Sequence, residues 1–351
     1  MIAAKGASRG QTLAREALGA IRVYEGATGM CRIDLSDNTS QWGTPPSLAA
    51  LLEAGSSAEF NRYPAPYGRD LKNAIASYVG VDADAIVTGC GSDDVLDSTI
   101  RAFGEKGETL AHLDPSFGMI PVFASVSRLR PLGIPVSAGP EQYAETGARI
   151  IYLCSPNNPT GTTLSRDYIE RVVESAPGLV IIDEAYAEFS DDSMIDLTRR
   201  HDNVIVTRTF SKAFGLAGLR VGYGVAAPAI SREVEKVRGP YKLNALGEQA
   251  AIAVLRDDLD WMTTNVATMR ENRQRFVESL RQLGLAPLPS EANFVFVPVT
   301  RALERAERMR KSEIEVRAFA GLRDIGDALR ISIGPWEMMQ ECVAALEKAL
   351  R

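Results

Sequence analysis

A chain of 351 residues, 45% apolar and 24% charged, carries enough apolar material for one large core and a second, smaller one, and is too short for many domains. Its formal net charge of −6, with no dense Lys/Arg run, argues against a nucleic-acid surface and for a small-molecule enzyme. Four scattered cysteines (Cys31, Cys90, Cys154, Cys342) and two histidines (His112, His201) form neither CxxC pairs nor a Cys/His cluster, so reduced thiols, no bound metal and a cytoplasmic location are expected.

The first stretch, MIAAKGASRGQTLAREALGAIRVY, lacks the unbroken apolar core of a signal peptide, and no later run approaches the roughly 18 apolar residues of a membrane span. Neither export nor a membrane partner is expected. From about residue 85, short β-branched runs alternate with helical patterns: AIVTG (85–89), TLAHLD (109–114), RIIYLC (149–154), LVIIDEA (179–185) and NVIVTRTF (203–210). Runs with so little polar alternation predict strands buried on both faces of a mostly parallel sheet flanked by helices, the core of a large α/β domain. After GPYKLN (239–244) the pattern changes to one long helical stretch from about Leu246 to Leu283, then NFVFVPV, a short helix, IEVRAF and ALRISIG. A last helix opens after Gly334 and Pro335 with Met339, Val343, Leu346 and Leu350 on one stripe. This predicts a smaller α+β domain, with a large domain over 38–240 and a small one built from 1–37, including an N-terminal arm, and 241–351.

Each predicted large-domain strand ends in polar or glycine-rich residues, and in open α/β sheets ligands gather outside the carboxyl ends of the strands. In chain order, TGCGSDD sets Gly91, Ser92 and Asp93 at a helix start, where backbone N–H groups can hold a phosphate; the third glycine of a dinucleotide fingerprint is replaced by Asp94. DPSFG offers Phe117 as a ring to stack on a flat ligand. SPNNPTG offers Asn158 as a hydrogen-bond donor, and DEAY places Asp183 at the end of a very apolar strand with Tyr186 close behind. TFSKAFGLAGLR carries Thr209, Ser211, Lys212 and Arg220. Singly, each has a plainer reading: a capped helix, a core aromatic, a turn, a strand-end acid or a solvated lysine. Together they match pyridoxal phosphate, which asks for an amine to form a Schiff base, hydroxyls and an arginine for the phosphate, and a carboxylate for the ring nitrogen.

Through SPNNPTG, DEAY and TFSKAFGLAGLR, in this order, the sequence resembles the fold type I pyridoxal-phosphate aminotransferases. Within them it is most similar to the histidinol-phosphate aminotransferase family, through DLSDNTSQWGTPP (34–46), NRYPAPYGRDLKNAIA (61–76), DPSFGMI, RGPYKLN (238–244), SEANFVFV (290–297), VRAF (316–319) and LRISIG (329–334). The resemblance implies a fold type I large domain with a smaller α+β domain, and a role for each residue. Lys212 holds the cofactor and shuttles a proton; Asp183 pairs the ring nitrogen; Asn158 and Tyr186 meet the ring oxygen. Ser92, Thr209, Ser211 and Arg220 surround the phosphate, and Tyr63 reaches it from a second subunit, which implies a homodimer. Arg330 grips a substrate carboxylate, Arg317 the substrate phosphate, Tyr24 closes over that phosphate, and Asn38 lies on the substrate side. The implied reaction moves an amino group between glutamate and imidazole acetol phosphate, in histidine biosynthesis. An aromatic or broad-specificity aminotransferase, a phospho-amino-acid decarboxylase, or a ligand-sensing protein without turnover are the alternatives on this scaffold. The sequence departs from the family at Asn38-Thr39-Ser40-Gln41, at Phe117 where tyrosine is typical, at Lys242 and at Pro335-Trp336.

Overall fold

A computed structural model describes residues 13–15, 18–19, 21–23, 31–55 and 61–351. In chain order, β1 (Ile33–Asp34), α1 (Pro46–Glu53) and α2 (Arg69–Val79) lead into the central αβ run. That run is β2 (Ile86–Cys90), α3 (Gly91–Phe103), β3 (Thr109–Asp114), α4 (Met119–Val126), β4 (Arg130–Pro135), α5 (Glu141–Glu145), β5 (Ile150–Cys154), α6 (Arg166–Ser175), β6 (Leu179–Asp183), α7 (Leu197–Arg200), β7 (Val204–Thr209), β8 (Val221–Ala226) and α8 (Pro228–Val237). Then follow α9 (Ala245–Asp257), α10 (Leu259–Gln282), β9 (Phe294–Pro298), α11 (Ala302–Arg310), β10 (Ile314–Glu315), β11 (Arg317–Leu322), β12 (Gly326–Ser332) and α12 (Trp336–Leu350).

Seven strands form the large sheet in the order β2-β8-β7-β6-β5-β3-β4, all parallel except β8, which runs against both its neighbours. The central strands IIYLC and LVIID are buried at every position. Successive side chains alternate between faces. Thus Ile150, Tyr152 and Cys154 pack with α3, α4 and α8, while Ile151 and Leu153 join the core under α2, α6, α9 and α10. That second core continues into a three-stranded antiparallel sheet, β11-β12-β9, where Arg317 pairs across from Arg330. β1 pairs with β10, so the segment after β1 is tied to the C-terminal part of the chain.

The expected single helix over 246–283 is two helices. Asp258 interrupts it with φ −116° and ψ 14°, and its carboxylate accepts hydrogen bonds from the Ser47 N–H (3.0 Å) and hydroxyl (2.6 Å) instead of pointing to solvent. The IEVRAF run likewise splits at Val316 into β10 and β11, and the buried stripe of α12 centres on Met339, Cys342, Ala345, Leu346 and Ala349.

The topology sets the site. Because β8 is antiparallel to β7, the connection 210–220 leaves and re-enters the sheet at one mouth, with Thr209 opposite Gly222 and the Phe210 N–H donating to the Val221 carbonyl (3.0 Å). Lys212 and Arg220 are thereby held at the ends of β6 and β5, where Asp183 and Asn158 lie.

Candidate active site

At the carboxyl ends of β5, β6 and β7 lies a cavity of about 560 Å³, within the range of small-molecule sites. Its walls include Asn38, Ser92, Asp93, Phe117, Asn158, Asp183, Tyr186, Thr209, Ser211, Lys212, Arg220 and Arg330. The sequence-predicted residues missing from that wall are Gly91, Tyr63 and Arg317, and Tyr24 lies outside the described residues.

Asp183 closes the deep end. It is 3% exposed, and its carboxylate accepts from the Tyr152 hydroxyl (2.7 Å), the Thr207 hydroxyl (3.2 Å) and the Ala185 N–H (3.2 Å). All three donors are neutral, and burial pushes the carboxyl up to about 6 against their pull. A buried acid supplied with three hydrogen bonds and no cation among these donors is built to receive one.

Lys212 stands across the cavity. Its Nζ donates to the Asp37 carbonyl (3.0 Å) and lies 5.9 Å from the centre of the Tyr186 ring. Loss of solvation, then the nearby Arg330, brings the amine down to about 8, so part of it is neutral near physiological pH. Tyr186 is nearly buried and its oxygen accepts from Asn38 Nδ2 (3.0 Å). Asn38 itself has φ 61°, its backbone N–H donates to Ser332 Oγ (3.0 Å), and its carbonyl accepts from Asn293 Nδ2 (3.0 Å). Asn38 therefore orients the tyrosine from the small-sheet side of the cavity.

Hydroxyls, one guanidinium and one helix start gather at the opposite end. The Thr209 hydroxyl donates to Ser211 Oγ (3.0 Å), while Arg220 reaches Ser211 Oγ (3.3 Å) and the Asp93 carboxylate (3.3 Å) in the first turn of α3. Gly91 opens that helix at φ 77°, and a Cβ there would lie 2.5 Å from Arg220 Nη2, so only glycine lets the arginine cross the helix start. An N-terminus with a guanidinium and hydroxyls beside it is an anion site.

On the remaining wall, Arg330 is 8% exposed; its Nη1 donates to Asn158 Oδ1 (2.6 Å) and its Nη2 to the Ser36 carbonyl (2.6 Å). Arg317 is directly opposite it on β11, on the same face of the small sheet. Tyr63 is 81% exposed and stacks on Tyr241, ring centres 4.6 Å apart, outside its own chain's cavity. Lys242 bonds Asp94 and not the cavity.

Sequence reasoning passed over Tyr152, Thr207, the Asp37 carbonyl, Ser332 and Asn293. A signal was present for the first two: each is a polar residue near the end of an otherwise apolar central strand, and Thr207 is the register partner of Asp183. Asp37, Asn293 and Ser332 lie in stretches that carry the family resemblance, but nothing local marks the contacts they make, which join segments far apart in the chain.

Amine, carboxylate, anion cradle and flat hydrophobic wall fit pyridoxal phosphate, whose ring nitrogen would supply the cation that Asp183 lacks. The comparisons agree with this chemistry. A family model described as aminotransferase class I and II matches residues 31–346. The histidinol-phosphate aminotransferase of Microcystis aeruginosa is 36% identical over 322 residues, 89% of this chain and 91% of that protein. That of Geobacter sulfurreducens is 35% identical over 324 residues, again 89% and 91%. Among solved structures, histidinol-phosphate aminotransferase from Sinorhizobium meliloti, in complex with pyridoxal-5'-phosphate, superposes with a TM-score of 0.85 at 28% identity, over 92% of this chain and 91% of that one.

Proposed function

The chain belongs to the class I and II aminotransferases, and from that premise we propose that it is a pyridoxal-phosphate enzyme that moves an amino group from glutamate to imidazole acetol phosphate, forming histidinol phosphate for histidine biosynthesis. The observation that carries the reading is Asp183: a carboxylate buried among neutral donors, across one cavity from a lysine whose amine is lowered to about 8.

When bound, pyridoxal phosphate supplies an aldehyde carbon that takes the amino group and a ring that accepts the electron pair left on the amino acid's α-carbon. Asp183 would pair with the protonated ring nitrogen, and Tyr152 and Thr207 hold its carboxylate in that direction. Asn158 and Tyr186 would face the ring oxygen, and Phe117 one ring face. Ser92, Thr209, Ser211, Arg220 and the N–H groups of the first turn after Gly91 would hold the phosphate; the Gly91 N–H, expected among them from the sequence, instead donates to the Arg220 carbonyl (3.1 Å). Lys212 Nζ would take a proton from the substrate α-carbon and return it to the cofactor's aldehyde-derived carbon across the amino nitrogen, a task suited to an amine near neutrality.

Arg330 presents a guanidinium fork to the substrate carboxylate, exchanging its hydrogen bonds to Asn158 and Ser36 for bidentate ones. Glutamate and imidazole acetol phosphate share one anionic end in different chemical form, and a second fork at Arg317, beside Arg330, accepts carboxylate and phosphate alike. The same reading makes the protein a cytoplasmic homodimer in which Tyr63, exposed and stacked on Tyr241 in its own chain, would serve a second subunit's phosphate. Among the described residues no helix is long and apolar enough to cross a membrane.

The test is steady-state formation of 2-oxoglutarate from glutamate with imidazole acetol phosphate as the only acceptor. Turnover with this acceptor supports the reading. Release of carbon dioxide from a phosphorylated amino acid without any acceptor would move the protein to the decarboxylases of the same scaffold.

A further inference from the structure

The first turn of α3 carries two adjacent carboxylates, Asp93 and Asp94, at the helix end where an anion is to be held. A carboxylate there satisfies the helix dipole but competes with and repels an incoming phosphate. Asp93 is answered by Arg220 at 3.3 Å. Asp94 is answered from a different part of the chain, the segment joining α8 to α9. Its Oδ1 accepts from Lys242 Nζ (3.0 Å), and its Oδ2, which also accepts the Cys90 N–H (3.1 Å), lies 3.9 Å from Arg238 Nε.

Arg238 is the unusual member. Its side chain has no solvent exposure, and none of its three guanidinium nitrogens has a hydrogen-bond partner among the described residues. The Tyr67 ring lies 5.6 Å from its Cζ. Burying a guanidinium without hydrogen bonds costs stability, so packing does not account for it. Its charge acts on Asp94 through a dry medium, where screening by salt is weak. Around the helix start, three cationic groups face two carboxylates, which leaves a surplus positive charge.

We propose that Arg238 and Lys242 are positioning residues for the cofactor: acting through Asp94, they cancel its charge and keep the N-terminus of α3 available to the phosphate of pyridoxal phosphate. Asp94 keeps its structural task, holding the Cys90 N–H. This inference rests on the cofactor reading given above.

The experiment is a titration of cofactor-free full-length protein with pyridoxal phosphate, followed by visible absorption at low and high salt, for the wild type, K242M, R238M, D94N and the K242M/D94N double variant. Lys242 is partly exposed, so K242M leaves the fold intact. K242M is expected to bind about threefold to tenfold more weakly at low salt, the difference shrinking as salt rises. D94N, whose amide oxygen still accepts from Cys90, is expected to bind as tightly as the wild type or more so, and the double variant to return within about twofold of the wild type. A purely structural Asp94 gives the opposite pattern: D94N binds more weakly and rescues nothing. Unchanged affinity in K242M, or failure of D94N to restore it, overturns the inference. R238M that folds and binds more weakly supports the same role for Arg238, and R238M that folds and binds as tightly as the wild type removes Arg238 from it. A wild-type protein that takes up no pyridoxal phosphate would instead overturn the cofactor reading.

Discussion

Replacing Asp183 by asparagine separates what the residue does for stability from what it does for chemistry. In the cofactor-free protein the carboxyl is raised from an ordinary value near 4 to about 6, because burial outweighs the pull of Tyr152, Thr207 and the Ala185 N–H. A group whose pKa is higher in the folded protein contributes stability that is fully present below its unfolded value and is lost as pH rises through the folded one. Two units correspond to about 3 kcal/mol, so the wild type should lose on the order of 1–3 kcal/mol from this group between about pH 4 and pH 7. The asparagine carries no charge and keeps an oxygen for Thr207 or the Ala185 N–H, while its amide can donate to the Tyr152 oxygen. Urea unfolding of both cofactor-free proteins at pH 4.5 and pH 8 reads the difference. Asp183→Asn should be the more stable by about 1–3 kcal/mol at pH 8, with the gap closing towards pH 4.5. With cofactor, its turnover should fall by a factor on the order of 10² or more, since a neutral amide does not hold the ring nitrogen protonated. A variant less stable than the wild type at pH 8, or a gap that ignores pH, would refute the reasoning.

Further predictions concern the other walls of the cavity. Lys212→Ala should retain pyridoxal phosphate through the phosphate cradle and lose turnover altogether; a variant that still turns over would remove Lys212 from its role. Capture of pyridoxal phosphate by the cofactor-free protein requires a neutral amine, so its rate should rise about tenfold per pH unit below pH 8 and level off above, as stopped-flow absorbance would show. A rate constant across pH 6–9 would contradict the lowered amine. Arg330→Ala should raise KM for glutamate by about 10- to 100-fold, the size of a lost charge-assisted fork. Arg317→Ala should raise KM for glutamate and for the phosphorylated substrate alike, since one fork serves the anionic end of each, and an effect confined to one substrate would undo that shared role.

The residues legible in the sequence are those whose chemistry is local. Asn158, Asp183 and Lys212 each follow a run of apolar residues, and β5, β6 and β7 lie side by side, so reading strands and their carboxyl ends already placed these groups at one mouth. The strand TLAHLD was read with the bounds it has, because apolar residues buried on both faces leave little latitude. β8 was not read: VGYGVA is short, glycine-rich and antiparallel, and its partner strands become apparent only in three dimensions. The break at Asp258 escaped for a related reason, since the Ser47 that holds its carboxylate lies more than 200 residues earlier. Asn38 was noticed, but not its task; its hydrogen bonds to Tyr186, Ser332 and Asn293 join segments that are far apart in the chain. Asp94 and the stretch that begins at Arg238 were each legible, but not their pairing, because an ion pair between a helix start and an interhelical segment has no spacing rule.

The central claim, that this cavity holds pyridoxal phosphate and exchanges an amino group with histidinol phosphate, is tested by one spectrum. The purified protein is loaded with pyridoxal phosphate and mixed with histidinol phosphate in the absence of any keto acid. The account predicts that the visible absorption of the aldehyde form is replaced, one equivalent per site, by the near-ultraviolet absorption of the amine form. A visible band that histidinol phosphate leaves untouched, while another amino acid discharges it, would contradict the substrate assignment and send attention back to Arg317 and the segment from Asn38 to Gln41.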